Sequence, residues 1–134
     1  MILNLTQHKA SEQQIEAGVV EMPEGMAKVV RDFLTFEEIP SKDELVSRAS
    51  FIVTVVETWM KEAGVRRMDF SVMVGGAPFF MEILCVRFRK SYIHPVFAFS
   101  KRESVEEVQE DGSVVKRAVF KHLGFVDAFN FSKI

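Results

Sequence analysis

Apolar residues open the chain as the short run Ile2 to Leu5, which ends at Thr6-Gln7-His8-Lys9. The pattern predicts a buried strand that delivers a polar cluster to its carboxyl end. Ser11 with Gln14 three residues on is a capping box, and the helix it starts is brief because Gly18 follows soon after Ile15. Val19 to Met22 reads as a second strand before Pro23, and Met26, Val29, Val30, Phe33 and Leu34 then recur at helical spacing. Pro40 breaks the chain and Ser41 with Glu44 forms a second capping box. Leu45, Ala49, Ile52, Val53, Val56, Met60 and Ala63 mark one face of a long amphipathic helix that Gly64 closes.

Phe70-Ser71-Val72-Met73-Val74 is bounded by Gly75-Gly76, and such a run reads as a central strand covered on both sides. Pro78 suits the first position of a helix carrying Phe79, Phe80, Ile83, Leu84 and Phe88 through to Ser91, and Pro95 to Phe99 supplies the next strand. Strand, helix and strand within about thirty residues make a crossover unit with parallel strands. In the last third, charges alternate with Val and Phe. Asp111-Gly112 between two such runs is a two-residue hairpin signal that pairs Val105 to Gln109 with Val114 to Phe120. Acidic Glu106, Glu107 and Glu110 then face basic Lys116, Arg117 and Lys121. The expected architecture is a single small Rossmann-like α/β domain over residues 1–134, with a mostly parallel sheet flanked by helices and a C-terminal β-hairpin.

Composition narrows the function classes. A chain of 134 residues needs no second domain, and 48% apolar with 27% charged residues is a globular balance without an apolar run of membrane length. A formal charge of -2 argues against a protein that coats duplex DNA and leaves a small anionic ligand open. Cys85 is the only cysteine, so no internal disulfide forms, and its neighbours Ile83, Leu84, Val86 and Phe88 are those of a packed helix face. The N-terminus has no basic prelude and no small-residue cleavage site, which makes the cytoplasm the expected compartment. Thirteen phenylalanines exceed the needs of one small core, and with the apolar helix at 78–91 they point to a homodimer.

Open parallel sheets bind ligands beyond the carboxyl ends of their strands. Three such ends carry polar or glycine-rich sequence: Thr6-Gln7-His8, Gly75-Gly76-Ala77-Pro78 and Ser100-Lys101-Arg102-Glu103. The strand order, which decides whether they share one crevice, is not readable from the sequence. Gly75-Gly76 opens a helix whose free amides and dipole suit a phosphate, while a tight steric turn accounts for two glycines as well. Lys101 and Arg102 suit phosphate by point charge and by fork, the alternative being a solvated strand end paired with Glu103 or Glu106. His8 and His122 suit acid–base work or a phosphate contact, the alternative being partly buried structural imidazoles. His94 precedes Pro95 at a strand's amino end, away from that edge. The scattered histidines and lone cysteine lack metal-ligand spacing and no serine sits in a nucleophile elbow, so neither metal nor cofactor is expected.

Phe99-Ser100-Lys101-Arg102-Glu103, Asp111-Gly112-Ser113, Phe120-Lys121-His122 and Phe125 together resemble the C-terminal half of small CRISPR-associated ring nucleases, relatives of the CARF domains. Over its whole length, including Leu5-Thr6-Gln7-His8 and Gly75-Gly76-Ala77-Pro78-Phe79, the chain is also similar to small uncharacterised proteins of bacteriophages and mobile elements. The first resemblance implies binding and metal-independent cleavage of cyclic oligoadenylate. It carries Lys101 and Arg102 over as phosphate contacts, with Gly75 and Gly76 at a second phosphate and His8 or Gln7 orienting the attacking ribose hydroxyl. Thr6, Ser100 and His122 complete the expected ligand-binding set. The alternative is a non-catalytic module of a mobile element, either a ligand sponge or a protein-binding partner.

Overall fold

The computed structural model of the protein describes residues 1–127. Strand β1 (Ile2–Leu5) leads to the short helix α1 (Glu12–Glu16), strand β2 (Val19–Val20) and helix α2 (Glu24–Leu34). The long helix α3 (Lys42–Ala63), strand β3 (Ser71–Val74), helix α4 (Pro78–Lys90) and strands β4 (His94–Val108) and β5 (Val114–Val126) complete the order. The first capping box forms as expected: the Ser11 hydroxyl accepts from the Gln14 amide at 3.2 Å and Gln14 Oε1 accepts from the Ser11 amide at 3.1 Å. At Ser41 only half of a box exists, because the Glu44 carboxylate turns away to Arg48 at 2.8 Å. The second strand is shorter than expected, since Pro23 already caps α2.

The sheet order is β2-β1-β3-β4-β5, with β1 parallel to both β2 and β3, β3 parallel to β4, and β5 antiparallel to β4. Strand alternation splits the core in two. Leu3, Leu5, Val72 and Val74 face α2, α3 and α4, whereas Val19, Met73 and Val96 face Ala10 and Phe125 on the side of α1. Helix α4 spends its apolar residues inside the protomer, with Phe80, Met81, Leu84, Cys85 and Phe88 all buried. Those residues are therefore core, and the helix does not present them as a subunit interface. Burial also pushes the Cys85 thiol up to about 11.

The C-terminal third departs from expectation in extent. Phe99 does not end a strand: β4 continues to Val108 because β5 pairs with it all the way, supplying the hydrogen-bond partners that β3 no longer can. Ser100 to Glu103 accordingly lie within a strand instead of at a strand end. Beyond the edge of the parallel sheet the two strands run on as an isolated ribbon, interrupted once by a register shift at Phe99/Ser100. The turn at its tip holds three residues, not two. Gln109 and Ser113 pair directly, and Gly112 (φ 83) accepts the left-handed conformation that this loop requires. The Asp111 carboxylate accepts from the Ser113 hydroxyl and amide, which holds it below the usual carboxylate range. The extra turn residue shifts the register by one from that of a two-residue turn: of the expected acid–base partners only Glu106 and Lys116 stand opposite each other, while Glu107 stands opposite Val115, Arg117 opposite Val105 and Lys121 opposite Lys101. Among the described residues no helix is long and apolar enough to cross a membrane.

Candidate functional site

The chain leaves β1 toward β2 on one side and leaves β3 toward β4 on the other, so the order of the sheet reverses direction between β1 and β3. Loops at such a switch point diverge and leave a crevice beyond the carboxyl ends. Leu5 pairs with Val74, so Thr6 meets Gly75 at this edge, and Gln7 and His8 follow directly. A Cβ on Gly75 would lie 3.2 Å from the Thr6 methyl, and one on Gly76 (φ 157) would lie 3.2 Å from Met81 Cε. Gly75 thus lets the turn close against Thr6, and Gly76 takes a backbone conformation that side chains rarely adopt, so protein packing by itself gives each glycine a role. The helix end they expose is the positive end of α4, with Pro78 in its first turn.

Most polar groups at the end of β1 are committed to the fold. Asn4, buried at 5% exposure, donates to the His8 carbonyl at 2.8 Å and to Glu21 Oε1 at 2.7 Å. Its Oδ1 accepts from the Thr6 amide at 3.0 Å and the Thr6 hydroxyl at 2.8 Å. The Thr6 hydroxyl also lies 2.9 Å from the His8 carbonyl, so it is used in shaping the turn. Gln7 Nε2 donates to the Leu34 carbonyl at 3.3 Å and to Thr35 Oγ1 at 3.1 Å, tying the strand end to the C-terminus of α2. The His8 side chain is exposed.

The remaining expected site residues lie on the ribbon. Lys101 is five residues past Val96, the last partner of β3, or roughly 16 Å along the strand at ~3.3 Å per residue. Successive strand side chains point to opposite faces, so Lys101 and Arg102 do not converge. Phe97 packs against the α2–α4 core, which puts Phe99 and Lys101 on that side. Lys121 is directly opposite Lys101, and no carboxylate among the described residues pairs with either lysine. Arg102 shares the other face with Ser100, His122 and Phe120.

On that second face a cavity of about 450 Å³ lies between the ribbon root and α1, lined by Gln13, Gln14, Ser100, Phe120 and His122 among others. Gln13 Oε1 accepts from the His122 amide at 2.7 Å and the His122 ring meets Phe125 edge-on at 4.9 Å. Neither His122 ring nitrogen has a hydrogen-bond partner among the described residues.

The structure therefore brings Thr6 to Gly75 and Ser100 to His122, and separates Lys101 from Arg102. Lys121 was missed as a candidate because a two-residue turn at Asp111-Gly112 carries Lys101 to His122; the three-residue loop shifts the register by one and brings Lys121 opposite Lys101. Phe79, one of the apolar residues expected along α4, stands 52% exposed in its first turn and with Phe36 and Ile39 lines an open apolar depression of about 560 Å³. Among the described residues no three His, Cys, Asp or Glu side chains are grouped as metal ligands.

Parallel strands in this order, a reversal of strand order between β1 and β3 and helices on both faces define a Rossmann-like α/β protein, here extended by a two-stranded ribbon. Within that class, the chain belongs to the family described as Uncharacterized protein MJ1673 family, which it matches over residues 1–126. The match runs through the whole ribbon, so the ribbon is included in the family pattern. No curated protein and no solved structure matches the chain.

Proposed function

We propose that the protein binds a short oligonucleotide anion on the α2–α4 side of the ribbon root, and that this anion is of the cyclic oligoadenylate class named by the ring-nuclease resemblance. The observation that carries the reading is the Lys101–Lys121 rung. Like charges directly opposite on a ribbon are destabilising, and an anion seated on them reverses that sign. The positive end of α4 lies on the same side, roughly 10 Å back along the strand direction, a gap suited to two non-adjacent phosphates of one ligand. Phe99 and Phe79, 51% and 52% exposed, offer rings on which bases can stack. Turnover would be metal-independent: a ribose 2′-hydroxyl attacks the adjacent phosphorus and the bond to the 5′-oxygen breaks, leaving a 2′,3′-cyclic phosphate and a 5′-hydroxyl. A cytoplasmic location and carriage by a mobile element belong to the same proposal.

Titration of labelled cyclic tetra-adenylate at two salt concentrations tests it. Removing both lysines (Lys101→Ala with Lys121→Ala) should weaken binding about tenfold or more per charge and flatten its salt dependence. The melting temperature should stay within about a degree or two, since both side chains are exposed. Equal binding by wild type and variant removes the site, and no binding by the wild type removes the ligand class. Separating the bound samples for linear products distinguishes an enzyme from a sponge.

A further inference from the structure

The ribbon face on the α1 side is uncovered from the Arg102–Phe120 rung to the tip. Arg102, Ser104, Glu106 and Val108 on β4 are all exposed, as are their partners Phe120, Ala118, Lys116 and Val114 on β5. Two strands alone are marginal in water, and here Val108, Val114 and Phe120 stand 72%, 55% and 71% exposed. None of Arg102, Glu106 or Lys116 has an ion-pair partner among the described residues. Glu106 stands opposite Lys116 without closing an ion pair, and Arg102 and the Phe120 ring have no charge or ring partner on this face among the described residues of one protomer.

They are matched by the same face turned end for end. Reversing the ribbon about the Ser104–Ala118 rung carries Arg102 onto Glu106 and Phe120 onto Lys116. The same reversal carries the apolar tip, Val108 and Val114, onto Ser100 and His122 beside the 450 Å³ cavity. We infer that this face is where two copies of the chain clasp, ribbon over ribbon and antiparallel, about a two-fold axis through Ser104 and Ala118. Each contact then occurs twice, as two-fold symmetry demands. Arg102 of each copy meets Glu106 of the other, each Lys116 lies over the other copy's Phe120, and each tip covers the other copy's cavity. Ser104 and Ala118 are small enough to let the two layers close at the axis. The opposite ribbon face, with Lys101 and Lys121, stays open, so this inference is independent of the proposed ligand.

Light scattering on the ligand-free full chain over a wide concentration range provides the test. Wild type should approach the mass of two copies as concentration rises. Arg102→Glu and Glu106→Arg should each weaken association about tenfold or more, because each juxtaposes like charges twice. Both sites are exposed, so the fold should tolerate the changes, with unchanged melting curves as the check. An equimolar mixture of the two single variants should recover the two-copy mass, since one chain then carries two acidic residues where the other carries two basic ones. The double variant, Arg102→Glu with Glu106→Arg, should associate as wild type does. A wild type monomeric at all concentrations overturns the inference, as does a dimer indifferent to either substitution or a mixture that fails to recover.

Discussion

Asn4 has the side chain on which the end of β1 most depends. Its amide is inside the core yet satisfies the His8 carbonyl, the Glu21 carboxylate and both polar groups of Thr6. Asn4→Leu fills the volume but strips those partners, so unfolding free energy should fall by about 2 kcal/mol or more in a denaturant titration. Cys85 makes a second residue-level case. Its folded thiol sits at about 11 against the ordinary value of 9.0, since burial disfavours the thiolate. The unfolded chain therefore releases this proton first as pH rises. Its stabilising contribution is complete below pH 9 and declines between pH 9 and 11. Melting of Cys85→Ala compared with wild type across that range should show the wild type losing its excess alkaline sensitivity when the thiol is removed. In the native state, thiol reagents at pH 7.5 should react with Cys85 only at the rate of unfolding.

At the level of elements, the C-terminus of α2 is held by side chains from two others. Arg48 on α3 donates to the Phe33 carbonyl at 3.2 Å and the Thr35 carbonyl at 2.7 Å, with its guanidinium 4.3 Å from the centre of the Phe36 ring. Gln7 takes the Leu34 carbonyl between them. Nη1 reaches both carbonyls while Nε and Nη2 hold the Glu44 carboxylate and the guanidinium lies beside the ring, a combination that a single ammonium cannot reproduce. Arg48→Lys should thus destabilise by about 1 to 2 kcal/mol, measurable by chemical denaturation. Gln7→Ala should lower stability by about 1 kcal/mol, whereas a Gln7 serving only a bound substrate would leave melting unchanged. At the ribbon tip Gly112→Val meets no neighbour but must take φ 83, so about 1 kcal/mol of ribbon stability should be lost, seen as faster exchange of the Gln109 and Gly112 amides.

Across the whole molecule, protection should be graded. The amides of β1 and β3 pair inside the buried sheet, while those of the outer ribbon pair only with one another. Hydrogen exchange should therefore be slowest in Leu3 to Leu5 and Val72 to Val74, and fastest between Glu103 and Ala118. Exchange in the ribbon should slow as protein concentration rises if two copies clasp through it.

Much of this arrangement is carried by local chemistry. Ser11 with Gln14, Ser41 before α3, Pro78 at the start of α4 and Gly64 at the end of α3 act on backbone groups within a few residues, and the structure uses each where the chain presents it. The alternation of Val and Phe with charge on either side of Asp111-Gly112 is likewise a near-neighbour pattern. Those signals determined the succession of strands and helices, the α/β class and the existence of the hairpin. Tertiary structure alone decided the strand order that puts Thr6 against Gly75, because pairing between β1 and β3 joins segments almost seventy residues apart and depends on which apolar faces can be buried together. It also decided that β4 runs on to Val108: a strand ends where its partner ends, and that partner, β5, lies beyond the turn. From that one extension follows the separation of Lys101 from Arg102, since a residue inside a strand shares a face with its neighbours two positions away and across the ladder, never with the residue beside it.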